Sequence, residues 1–251
     1  MTQPPDSFPS SPEPPGAFRR PGLLLAAGFL TVIVVLGVVV AVAGSGSESP
    51  DDSAPPVPAS PLGAGGGKPL GCRPTDTSQL VPVSAPPGVT WELFQAIALP
   101  TSATAGPLVR QGGQRSCYAR TPVGAMIASL QISARLTYSA RWKAFLAHQV
   151  ADGPGKVALA RERERAGTGA SPPLPAGGVA QVAGFKFVTY GPDTAVVSLL
   201  TRLDPSTYVE GTFTVRWQAG DWRLELQPDG TPNAAGPKRS SLTGYVAWGG
   251  A

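Results

Sequence analysis

QVAGFKFVTYGPDTAVVSLLTRLDPSTYVEGTFTVRWQAGDWRLELQ, residues 181–227, sets the fold class. Apolar and polar residues alternate through residues 181–190, 195–203, 207–218 and 222–227, and the breaks are Gly191-Pro192-Asp193, Asp204-Pro205-Ser206 and Ala219-Gly220-Asp221. Alternation at period two marks a half-buried strand, and Gly, Pro and Asp turn a chain sharply. Four such strands joined by tight turns form an antiparallel meander. In the third strand Val209, Phe213, Val215 and Trp217 share one face, and Glu210, Thr212, Thr214 and Arg216 the other. In the fourth, Trp222, Leu224 and Leu226 oppose Arg223, Glu225 and Gln227. One face of the sheet is expected to be buried and the other wet.

Upstream the period becomes helical. Thr121-Pro122 reads as an N-cap with proline at the first helical position, followed by Val123, Met126, Ile127 and Leu130 on one face. A second helix is predicted from about Ser139, with Tyr138, Trp142, Phe145 and Leu146 on one side, until Gly153-Pro154-Gly155 stops it. Residues 156–166 read as a third, short and heavily charged helix, and residues 167–178 as a Gly/Pro loop. Residues 91–99, WELFQAIAL, place Trp91, Leu93, Ile97 and Leu99 at spacing two, interrupted by Gln95, which predicts a strand. Helices first and an antiparallel sheet after give an α+β domain whose helices cover the apolar face.

Residues 22–43, GLLLAAGFLTVIVVLGVVVAVA, carry no charge, and Thr31 is their one polar side chain. At about 1.5 Å per residue the run reaches roughly 33 Å, enough to cross a bilayer. It is longer than the apolar core of a cleaved signal peptide, and it ends too early to make Leu70-Gly71-Cys72 a lipoprotein site. Arg19 and Arg20 precede it while Glu48, Asp51 and Asp52 follow it, so the N-terminus is expected in the cytoplasm. The expected organisation is a disordered cytoplasmic tail (1–20), a transmembrane helix (21–43), a Pro/Gly/Ser-rich extracellular linker (44–70) and an extracellular domain (71–251). From Lys68 onward there are 18 Lys and Arg against 11 Asp and Glu, a net +7 beside +4 for the whole chain. A basic surface of this kind attracts anionic polymers, headgroups or acidic partners.

The two cysteines, Cys72 and Cys117, both fall outside and are expected to form one disulfide. It would staple the start of the domain to the approach of its first helix. With a single histidine, His148, they make a poor zinc set. His148 sits in AFLAHQV and reads as a helix-surface or satisfied core residue rather than a general base. GAGGGK, residues 63–68, follows no strand and lacks the spacing of a phosphate loop, and no Ser/His/Asp order or HExxH occurs. No cofactor or metal is expected. Arg161, Arg163 and Arg165 alternate with Glu162 and Glu164 in ARERERA, which reads as a solvated helix or a partner-docking surface. The five tryptophans, Trp91, Trp142, Trp217, Trp222 and Trp248, read as core.

Helix, helix, short helix and then a meander ending in GDWRLEL resemble the NTF2-like cone. Joined to a single-pass anchor and a Pro-rich spacer, the layout resembles the bitopic envelope proteins of Gram-positive conjugation and type IV secretion machinery. CYARTPVGAMIAS and LTGYVAWG are similar to segments of actinobacterial membrane proteins of this build. The resemblance implies a non-enzymatic scaffold or accessory subunit that contacts other membrane or envelope proteins, or its own copies; nucleic acid is not expected as a partner, because the domain is expected outside and shows no basic-aromatic motif. The alternative is an extracellular small-ligand-binding or sensing module that uses the cavity of the cone.

Overall fold

A computed structural model describes residues 71–111, 113–167 and 181–250. The apolar run at 22–43, the tail and the linker lie outside the described residues, and among those described no helix is long and apolar enough to cross a membrane. The described chain is α+β, with three helices and antiparallel sheets.

The meander is as the alternation predicts. Strands β5 (Gln181–Gly191), β6 (Thr194–Asp204), β7 (Thr207–Gln218) and β8 (Asp221–Glu225) pair in sequence order. Two further strands extend it: β9 (Ala234–Arg239) pairs with β7, and β10 (Val246–Ala247) with β5. Strand β8 takes Thr214 to Gln218 of β7 and β9 takes Tyr208 to Thr212, so one edge is shared by two short strands in line. Neither β9, which reads AAGPKR, nor the two-residue β10 has the β-branched, alternating content that marks a strand.

Helix α1 (Pro122–Tyr138) starts as expected, with the Thr121 hydroxyl accepting the Gly124 N–H at 3.2 Å. It is buried nearly all round, from Met126 and Ile127 through Ile132 to Leu136, and lies at the centre of the domain rather than presenting one apolar stripe. Helix α2 (Trp142–Gln149) begins later than Ser139, because Ser139 is extended and caps the C-terminus of α1, whose last residue is Tyr138. Helix α3 (Pro154–Arg165) follows and lies close to the loop after β8: a Cβ on Gly155 would meet the Gln227 carbonyl at 2.1 Å.

Residues 91–99 correct the sequence reading. They form not one strand but a hairpin, β1 (Val89–Phe94) and β2 (Ile97–Ser102), registered from Val89 opposite Ser102 to Phe94 opposite Ile97. Gln95, the polar break in the alternation, is where the chain turns, at φ 56°, and its amide donates to the Tyr138 carbonyl at 3.0 Å. A second small hairpin pairs β3 (Val109–Gln111) with β4 (Gln114–Ser116).

The main core joins Met126, Ile127 and Leu136 of α1 to Phe185, Val197, Leu199, Val215, Trp222 and Leu224 of the sheet. The opposite face is not simply wet. Ala183, Leu200 and Tyr208 form a second cluster there, covered by Leu242 and Tyr245. The LTGYVAWG segment crosses this outer face, pairs Val246 with Phe185 at the sheet edge, and sends Trp248 into the main core against Phe185 (5.6 Å) and Trp91 (4.8 Å).

Candidate functional site

Glu92 on β1 gathers cations from three other elements. Its Oε2 forms an ion pair with Arg110 Nη1 at 3.0 Å, and its Oε1 accepts Arg115 Nε at 3.3 Å, Arg135 Nη2 at 2.9 Å and Gln131 Nε2 at 3.2 Å. Arg135 also donates to Gln131 Oε1 at 3.0 Å and stacks on the Phe94 ring at 4.4 Å. Burial alone would push the Glu92 carboxyl up; the Gln131 hydrogen bond and the three guanidiniums outweigh it and hold the group below its usual range. Burial and the neighbouring Arg115 lower Arg135 against the pull of Glu92. The Arg115 carbonyl accepts the Tyr118 hydroxyl at 2.9 Å and the Gln149 amide, which ties the β3–β4 hairpin to α2. The sequence reading missed this cluster because its members lie as far as 43 positions apart, with no local motif to join them.

The predicted disulfide is present: Cys72 and Cys117 are bonded across a separation of 45 residues. Its surroundings explain CYARTPVGAMIAS and GDWRLEL together. Cys117 sits at φ 68°, and its N–H donates to Asp221 at 2.6 Å, while the N–H groups of Tyr118 and Trp222 reach the same carboxylate at 2.9 Å each. Trp222 Nε1 donates to the Ala119 carbonyl at 2.8 Å. Burial pushes the Asp221 carboxyl up to about 6 against the pull of its three backbone donors. A Cβ on Gly124 would meet the Ala119 carbonyl at 2.1 Å, so that position takes glycine alone. These two motifs form a clasp that holds the approach to α1 against the start of β8.

The three arginines of ARERERA do not share a surface. Arg161 and Arg165 are exposed, whereas Arg163 is buried and donates to the Leu136 and Thr137 carbonyls at the C-terminus of α1, with its guanidinium over Trp142 at 5.2 Å. Arg163 is thus a helix C-cap, not part of a docking face, because turning it inward satisfies carbonyls that α1 leaves open. His148 is exposed on α2. Trp142, Trp222 and Trp248 are buried and Trp91 and Trp217 pack half-buried against the main core. Among the described residues no group of three or more His, Cys, Asp or Glu has the arrangement to hold a metal ion.

On the outer face Glu210 accepts the Ser198 hydroxyl at 2.8 Å and Arg239 at 2.7 Å, and Tyr245 meets Ser198 at 2.9 Å. Hydrogen bonds from Tyr245, Ser198 and Arg239 overcome burial and bring Glu210 down to about 2. This network seats LTGYVAWG on the sheet.

Ahead of β1, residues 73–88 run over the surface yet are fastened to it. Thr121 donates to Asp76 at 2.7 Å, Gln79 donates to the Arg120 carbonyl at 2.9 Å, and Tyr190 donates to Gln79 at 2.8 Å. Just after these ties at Asp76 and Gln79, Leu80 and Val83 are 82% and 88% exposed.

A family model described as Domain of unknown function (DUF8175) matches residues 51–247. No curated protein and no solved structure matches the chain.

Proposed function

The chain belongs to the DUF8175 domain family, and we propose that it is a membrane-anchored extracytoplasmic scaffold or accessory subunit of an envelope-spanning conjugation or secretion assembly. It acts by protein contacts, with residues 22–43 as its anchor and the α+β domain outside as an NTF2-like cone. The observation that carries this reading is the fastened stretch before β1, which holds Leu80 and Val83 in water. Large apolar side chains fixed at a surface are what a protein partner covers. The disulfide supports an oxidising compartment for the domain. The polar groups of its two best motifs are engaged in the clasp and in the outer-face network, which supports a contact role over a catalytic one.

The test is to export the domain without residues 1–44 and measure transfer or secretion by the host element. A tether keeps local concentration high, so the free, folded domain is expected to lose the activity. Full activity from the released domain would sink the scaffold reading in favour of a diffusible binding protein. A second reading, an extracellular small-ligand-binding or sensing module, draws on one observation, the excess of positive charge around Glu92.

A further inference from the structure

Arg110 and Arg115 stand directly opposite each other across the β3–β4 hairpin. Like charges in that position weaken a pair of strands, and among the described residues Glu92 is the one carboxylate paired with either. Glu92 is shared further, because its Oε1 takes three donors on an oxygen with two lone pairs, and the Arg115 contact at 3.3 Å is the longest of them. Three guanidiniums against one carboxylate leave two positive charges unmatched. The cluster also has an inside and an outside. The Arg135 side chain, 5% exposed, is held by Glu92 and Gln131, while that of Arg110 is 51% exposed and is joined to Glu92 through one nitrogen.

We propose that Arg110 and Arg115 bind a phosphate group at the surface, with Glu92 and Arg135 as the fixed inner wall. Arg115 already donates through Nε to Glu92 and through Nη1 to the Gly113 and Gln114 carbonyls, so its Nη2 and the more exposed guanidinium of Arg110 are the groups that would address separate oxygens of a tetrahedral group. A phosphate monoester, at about −1.5 to −2, matches the unmatched charge, whereas a second carboxylate would leave the cluster positive. Its binding would also relieve the opposition of Arg110 and Arg115. Glu210 on the outer face makes the contrast: there one carboxylate meets one arginine and two hydroxyls, and no such excess arises. The site stands apart from the scaffold reading, since a phosphate-binding domain can be tethered or free.

The test is differential scanning fluorimetry on the full-length protein in detergent micelles. Inorganic phosphate is one probe; dimethyl phosphate, which mimics the diester of a lipid headgroup or polymer, is the other. Sodium chloride at matched ionic strength is the baseline. A saturable rise in Tm of about 3 °C is expected, lost in Arg110→Gln and in Arg115→Gln and kept in Arg161→Gln. A response to inorganic phosphate that dimethyl phosphate, with its single charge, does not reproduce is the expected result, and an equal response to dimethyl phosphate overturns the charge match. Since Arg115→Gln also removes a hairpin contact, the half-exposed Arg110→Gln is measured in addition by phosphorus NMR line-broadening, where binding is expected to vanish with circular dichroism unchanged. No rise above the chloride baseline, a rise that survives either cluster variant, or a rise lost equally in Arg161→Gln overturns the proposal.

Discussion

In the β5–β8 meander each strand finds its partner next to it in the sequence, across turns of two residues. Ahead of α1, the contacts that hold the chain reach as far as 104 positions, between Cys117 and Asp221, and 111, between Gln79 and Tyr190. The meander needs only its own alternation and the turn chemistry of Gly, Pro and Asp. The leading half, with two short hairpins and a long surface run, has little local stability of its own and depends on cross-links to elements that follow it. Mutations should therefore be felt very differently in the two regions.

The largest effect is expected where the leading half is cross-linked. Replacing Cys72 and Cys117 together by Ser removes the closure of a loop with separation 45 and is expected to lower unfolding free energy by about 4 kcal/mol, read by urea denaturation of the purified protein. If the loss is under about 1 kcal/mol, the leading half does not depend on the bridge as described.

Next is Asp221→Ala, which strips the acceptor from the N–H groups of Cys117, Tyr118 and Trp222. With each buried orphan costing about 1–3 kcal/mol, a loss of about 3 kcal/mol is expected. Hydrogen exchange should show Cys117 and Tyr118 opening while the β5–β6 ladder stays protected; equal loss of protection in both regions would break the distinction.

Within the sheet the effect is smaller and depends on pH. Glu210 is brought from 4.5 down to about 2 by its hydrogen bonds, so the folded state holds its carboxylate more tightly than the unfolded chain does. Its contribution is present above pH 4.5 and is lost as pH falls towards 2. Tm is expected to fall across that window, and Glu210→Gln, already lacking the charge, should fall less steeply. Parallel curves would show that the charge of Glu210 does not hold LTGYVAWG in place.

The smallest effect belongs to the exposed cross-strand pair Arg216 and Glu225, joined at 2.6 Å on β7 and β8. Arg216→Ala is expected to cost no more than about 0.5–1 kcal/mol, measured in the same urea series. A loss like that of Asp221→Ala would mean that the meander too rests on single polar contacts.

The same contrast governs what could be read from the sequence. Turn triplets and alternation located β5 to β8 to within a residue or two, and Thr121-Pro122 located the start of α1, because these signals are local. Gln95 was visible as a break but not as a turn, since a glutamine at φ 56° is held there by the hairpin and by Tyr138 rather than by its own preference. Strand β9 was hidden by Gly236 and Pro237, and it pairs because β7 extends past β8 and offers an open edge. Arg163 looked solvated because its neighbours in sequence are charged; only the carbonyls at the end of α1 reveal why it turns inward. The cluster around Glu92 was the least legible, as each arginine taken alone is an ordinary surface residue.

The bond between Cys72 and Cys117 also has a mechanical meaning. Tension applied to the chain ahead of Cys72 passes through the covalent bridge to Cys117 and skips residues 73–116, including β1 to β4, which lie off the load path. From Cys117 the load enters α1 five residues later, beside the Asp221 carboxylate that grips the Cys117 and Tyr118 N–H groups. A pull on the chain ahead of Cys72 would thus be borne by the central helix and the sheet, and the hairpin carrying Arg110 and Arg115 would keep its shape under strain. In the reduced protein the same pull would load the surface run at 73–88 and then the β1–β2 hairpin before it reached β3 and β4.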